Sequence, residues 1–208
     1  MSGCDTSDDA AMTRRPYPAP HAEGPEGSRF VIYLHTLGDT LIKVGDKSVR
    51  PTSPLMFAAL LYLGMERGPR VPRAALQEMF FPKMDERSGA HSLRQLLYKL
   101  RELRAPIEDD GSSVSVAADS VADDAADGFA HRDSRWHLGG GFLPDYHPDI
   151  SERFSEWLDR QRSTVTAALR TRLVAAINGS RDVLDWASVE QRALLLEAID
   201  PFNEVAVL

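Results

Sequence analysis

The sequence predicts an α+β fold in which a small antiparallel sheet, three helices and a hairpin precede an all-α segment. Three observations carry this. Short β-branched and aromatic runs separated by Gly-Asp pairs come first, over 30–34, 40–44 and around Val49. Three stretches with apolar residues at helical spacing follow, the last reading "SGAHSLRQLLYKLREL" over 88–103. Beyond an Ala- and Asp-rich stretch, apolar residues again recur at helical spacing from 151 onward. With 208 residues, 43% of them hydrophobic, the chain has material for one good core or two small ones, and the midway shift in composition favours two.

Residues 1–28 are rich in Pro, Ala, Gly, Ser and acids, and Pro16, Pro18, Pro20 and Pro25 oppose regular structure, so a disordered leader is expected. The first strand is expected over 30–34, with a Gly38-Asp39 turn, a second strand over 40–44, a Gly45-Asp46 turn and a short third strand. Ser53 as N-cap and Pro54 at the first helical position open a helix that turns Phe57, Leu60, Leu61 and Leu63 inward and closes at Gly68-Pro69. "RVPRAALQEMFFP" predicts a second helix over 72–80, stopped by Pro82, and a third is expected over 86–103. Residues 107–116 read as two strands around the Asp110-Gly111 turn.

The stretch 117–128, with Asp119, Asp123, Asp124 and Asp127, is expected to be a solvated connection. Helices are predicted over 151–177 and 188–199, separated by Asn178-Gly179, with Phe154, Trp157, Val165, Leu169, Leu173 and Ile177 packing against Leu194, Leu195 and Ile199. The expected units are thus 1–28, a leader; 29–117, a first globular unit; 118–130, an acidic linker; and 131–208, an α-helical unit.

The net charge of −7 and pI near 5.4 argue against a protein that coats nucleic acid or membranes by bulk electrostatics. Charge is unevenly placed, however. Residues 29–116 hold 13 Lys and Arg against 10 Asp and Glu, and the remainder of the chain 11 against 21. Cys4 is the only cysteine, which excludes an intrachain disulfide and fits a cytoplasmic protein. The opening residues contain no apolar run of signal-peptide type, and nowhere do about 18 apolar residues run together, so no membrane span is expected.

Chemistry concentrates on the third helix. At 100° per residue, Leu93, Leu96, Leu97, Leu100 and Leu103 occupy about a third of the circumference and must face a core. Opposite lie His91, Gln95, Tyr98 and Glu102, flanked by Ser88 and Lys99 on one side and Arg94 and Arg101 on the other. Arg makes bidentate contacts to guanine, Gln to adenine, and Lys and Ser reach phosphate, so this face suits a DNA major groove. The alternative is an ordinary solvated helix face with ion pairs along it. Three helices preceded by a sheet and followed by a hairpin form the winged-helix arrangement, in which the second helix of a helix-turn-helix reads DNA.

The run "LGDTLIKVGDKSVRPTSPLMFAALLYLGMERGPRVPRAALQEMFFP", followed by "SGAHSLRQLLYKLREL", resembles the winged-helix half of the bacterial transcriptional activator domain proteins, the antibiotic-regulatory-protein type. "GGGFLPDY", "FSEWLDRQR" and "LLLEAIDPFNEVAVL" are similar to pieces of that family's second half. The resemblance spans about 30–208 and is weakest across the acidic stretch. It implies a sequence-specific DNA-binding regulator, an activator, with a tetratricopeptide-like second half that contacts RNA polymerase or a second copy of the chain. Its DNA-facing candidates are Ser88, His91, Arg94, Gln95, Tyr98 and Lys99, with Arg70 and Arg73 at the start of the second helix meeting backbone phosphate on promoter repeats. Arg101, beside Glu102, is expected to be ion-paired instead. One departure stands out: the hairpin tip is Glu108-Asp109-Asp110-Gly111, where a wing touching DNA would carry Arg or Lys. The modest basic bias implies weak binding by one copy and useful affinity for a dimer. "DPFNEVAVL" ends where a helical repeat would begin its next helix, so a longer parent or a shortened relative is expected.

Gly139-Gly140-Gly141 lacks the preceding strand and following Lys-Ser/Thr of a phosphate loop, and no cofactor is expected. His131, His137 and His147 with Asp145 and Asp149 match no metal-ligand spacing. Cys4 has no partner His, and no paired carboxylates or Ser-His-Asp pattern mark an enzyme. The competing class is a protein-interaction module whose winged helix no longer binds DNA.

Overall fold

The computed structural model describes residues 31–38, 40–127 and 141–200. The expected leader over 1–28, the histidines 131 and 137, the first two glycines of the Gly-rich joint and the C-terminal stretch 201–208 lie outside these residues. The fold is α+β.

Period-2 alternation shapes the first sheet. Strand β1 (Ile32–His35) buries Ile32 and Leu34 completely and turns Tyr33 and His35 to the other face. It pairs antiparallel with β2 (Leu41–Val44), Ile32 opposite Val44, and β2 pairs with β3 (Lys47–Val49). Helix α1 (Pro54–Met65) is apolar nearly all round, the pattern of a helix covered on several sides. Ser53 does hold its N-cap position and Pro54 follows, but the Ser53 side chain accepts no capping bond. Gly64 lets α1 approach the sheet closely, since a Cβ there would stand 3.2 Å from Leu34 Cδ1.

A two-residue strand, β4 (Val71–Pro72), leads directly into α2 (Arg73–Phe80), and α3 (Glu86–Glu102) follows. Strands β5 (Ile107–Asp109) and β6 (Ser113–Val116) form the expected hairpin, and β4 adds to it to give a second sheet in the order β4-β6-β5. Gly111 turns the tip with φ +89°, and the Asp110 carboxylate accepts from the Ser112 and Ser113 amides at 2.8 and 2.7 Å.

The expected acidic linker over 118–130 is corrected over its described part. After a 3-10 turn at Ala118–Ser120, Val121–Asp123 forms β7, parallel to β1 with Val121 opposite Ile32, and completes the sheet order β3-β2-β1-β7. Strand β1 had one open edge, and pairing satisfies backbone groups that burial would otherwise orphan. Asp123, 5% exposed, accepts from Arg67 at 2.6 Å. In the one-turn helix α4 (Asp124–Asp127), the Asp124 carboxylate accepts from Thr36 N, Thr36 Oγ1 and Leu37 N, anchoring the end of β1.

Helix α5 (Glu152–Asp182) is capped by Ser151, which accepts from Phe154 N and donates to Met79 O. Its first half packs on the preceding helices: Phe154 and Trp157 sit against Phe80 and Tyr62, and Trp157 Nε1 donates to Glu66 at 2.8 Å. Buried residues from β1 to Leu169 therefore form one continuous apolar cluster across the boundary expected near 118–130. The predicted break at Asn178-Gly179 is corrected too. α5 runs through it to Asp182, Ser180 is buried and accepts from Arg192, and the reversal falls at Leu184 with φ +58°. Helix α6 (Trp186–Ile199) buries Val189, Ala193 and Leu196 against Leu173 and Ile177; Leu194, predicted to face the core, is 61% exposed. No helix among the described residues is long and apolar enough to cross a membrane.

Candidate nucleic-acid interface

Helix α3 is positioned at both ends. Asp85 caps it by accepting from the amides of Arg87 and Ser88 at 3.1 Å each, and the Ser88 side chain, together with these amides, holds its carboxyl below the usual carboxylate range. At the far end Lys99 and Arg101 sit in the last turn, where the helix dipole favours cations. Leu93, Leu96, Leu97 and Leu100 are buried on the side facing α1 and α2.

The opposite side is open. His91, Arg94, Gln95, Tyr98 and Lys99 are all exposed, Tyr98 by 62%, and with Arg73, Arg101, Glu102 and Asp109 they line a hollow of about 860 Å³ between α3 and the β5–β6 hairpin. Within it, Gln95 Nε2 lies 2.9 Å from His91 Nε2, one helical turn away. The Tyr98 hydroxyl donates to Glu102, and that bond and the negative charge of Glu102 raise its pKa. Arg94 and Lys99 make no ion pair with the described residues, so they are the cations of this face without an internal partner.

Of the eight sequence-predicted residues, six line the hollow: Arg73, His91, Arg94, Gln95, Tyr98 and Lys99. Ser88 does not; its amide is engaged by the Asp85 cap at the helix start. Arg70 does not either, because it is drawn to the hairpin tip, with Asp110 at 2.7 Å and Glu108 at 3.4 Å. Arg73 lines the hollow but is engaged: both its bonds go to Asp109, at 2.8 and 2.9 Å. Arg101 is ion-paired as expected, yet with Asp109 at 3.0 Å across the hairpin rather than along its own helix.

Asp109 is the residue that sequence reasoning missed. It joins the N-terminus of α2, the end of α3 and, through Gly111 N at 3.0 Å, its own turn. Burial pushes its carboxyl up, but the bonds from Arg73, Gly111 and Arg101 outweigh that and hold it below the usual range, so it stays ionised at neutral pH. The signal available in the sequence was the acidic tip itself, which demanded cations nearby; which arginines answer it depends on the chain path between 73 and 109.

Among the described residues no three or more His, Cys, Asp and Glu side chains gather as a metal site. Comparison with protein-family models, with curated proteins and with solved structures finds no match for this chain.

Proposed function

We propose that this chain is a sequence-specific DNA-binding regulator of transcription, acting as an activator, in which residues 31–127 form a winged helix-turn-helix and the helices beyond it a helical-repeat-like unit. The observation that carries the reading is the outward ridge of α3: five donor or acceptor side chains, exposed over two turns and left uncovered by the described residues. A helix presenting Arg, Gln and His at this spacing meets base edges in a major groove, while Lys99 approaches the flanking phosphates. The helical part, α5 and α6, would recruit RNA polymerase or a second copy of the chain, and a dimer on promoter repeats would compensate for the small number of free cations.

The rival reading is a protein-interaction module that does not bind DNA. It draws on the hairpin, whose acids hold Arg70 and Arg73 in the place where DNA phosphates would otherwise sit. Gel-shift measurements on genomic fragments at two salt concentrations separate the two. Salt-sensitive, sequence-dependent binding weakened by Gln95→Ala and Lys99→Ala, by about 1–3 kcal/mol for a lost base contact, is the expected result. Absence of binding at low salt would overturn it in favour of the module.

A further inference from the structure

The acidic hairpin is hard to reconcile with a surface built for maximal DNA affinity. Each phosphate is repelled by Glu108, Asp109 and Asp110, and each cation these residues hold is one fewer for the backbone. The ion pairs also differ in kind. Arg70 is half exposed against exposed partners, so it exchanges readily for a phosphate. Arg73 and Asp109 have side chains only 16% and 10% exposed and share two hydrogen bonds, an arrangement that a phosphate must break in a partly dehydrated site. Asp109 is also shared with Arg101, so a single carboxylate engages two of the four cations lining the hollow.

We infer that Asp109 limits affinity: by holding Arg73 and Arg101 it withholds two cations of the α3 hollow from the DNA backbone and keeps binding to DNA of arbitrary sequence weak. This rests on the DNA-binding reading proposed above. Its consequence is that one copy holds DNA too weakly to persist, and stable occupancy requires base contacts by α3 together with a neighbouring copy on a repeated half-site. Affinity for a pair of sites scales as the square of the single-copy affinity, so lowering the latter sharpens the preference for repeats.

The test uses the full chain and a random-sequence duplex, with Asp109→Asn, which preserves shape and removes charge. Each phosphate contact adds about 0.9 to the slope of log affinity against log salt, so two released arginines steepen it by about 1.8. Between 50 and 200 mM salt the variant then loses about 12-fold more affinity than the parent chain, and at 50 mM it binds random DNA more tightly. Adding Arg73→Ala and Arg101→Ala to the variant returns the slope to the parental value, which a merely structural role for Asp109 would not predict. Should Asp109→Asn unfold the chain, Arg101→Ala in the parent, which leaves the Arg73–Asp109 pair in place, is read instead: an arginine already withheld from DNA leaves the slope unchanged, and a slope shallower by about 0.9 overturns the proposal. A parent chain that binds DNA with a folded Asp109→Asn variant of unchanged slope overturns the affinity limit alone. Failure of parent and variants alike to bind any DNA overturns it together with the DNA-binding reading.

Discussion

Phe154→Ala tests whether α5 belongs to the same cooperative unit as the helices that carry the candidate interface. Phe154 is fully buried near the start of α5, with its ring centroid 5.9 Å from Phe80 on α2 and 5.3 Å from Trp157. Truncating a buried Phe costs about 3–5 kcal/mol from lost transfer energy and the cavity left behind. Lost aromatic pairing, worth about 0.5–1.5 kcal/mol, is included in that range and pushes the value to its upper half. Against a total of about 5–15 kcal/mol for a typical chain, this is about a quarter of the stability or more. Because the apolar cluster runs unbroken from β1 through α1 and α3 into α5, the loss is expected in all of them. Native-state amide exchange measures this directly: protection at the slowest amides of α1 and α3 should fall by the same free energy as that in the first half of α5, and urea unfolding should stay a single transition with an unchanged slope. If exchange accelerates in α5 and α6 while α1 and α3 keep their protection, the two halves are energetically independent, and the continuous core does not act as one.

Asp124 predicts a pH dependence. Burial lifts its pKa to about 6, against the opposing bonds from Thr36 and Leu37, whereas the unfolded value is about 3.9. The folded state therefore binds this proton more tightly, so the group's contribution is fully present below about pH 4 and is lost as pH rises through 6, a change of about 3 kcal/mol. Subtracting the unfolding profile of Asp124→Asn from that of the parent isolates it; a flat difference between pH 4 and 7 would refute the shift. Gly179→Ala is expected to stabilise by about 0.5–1 kcal/mol, since the residue lies inside α5 without positive φ and an added Cβ meets nothing within 4 Å. A lower melting temperature would mean that the helix breaks there after all.

The sequence by itself determined the element types from 32 to 116, apart from the two-residue β4, and the inward leucine seam of α3, because a period of 2 or 3.6 is a local property that any core reads the same way. It also determined which polar residues α3 turns outward. Tertiary structure alone decided what those residues meet. Whether Arg73 faces a phosphate or a carboxylate depends on a hairpin 36 residues away in sequence, and the ion pair with Asp109 forms only once the fold carries the two together. The same holds for 118–127. Its alternation of Ala and Asp is too weak to specify a strand, and β7 exists because β1 offers an unpaired edge, Arg67 a charge for Asp123, and Thr36 three donors' worth of company with Leu37 for Asp124. Asn178-Gly179 failed as a stop signal for a related reason. A helix gives up about 1 kcal/mol to carry a glycine, and the packing of Ile177 and Ser180 beneath α6 outweighs that small local preference.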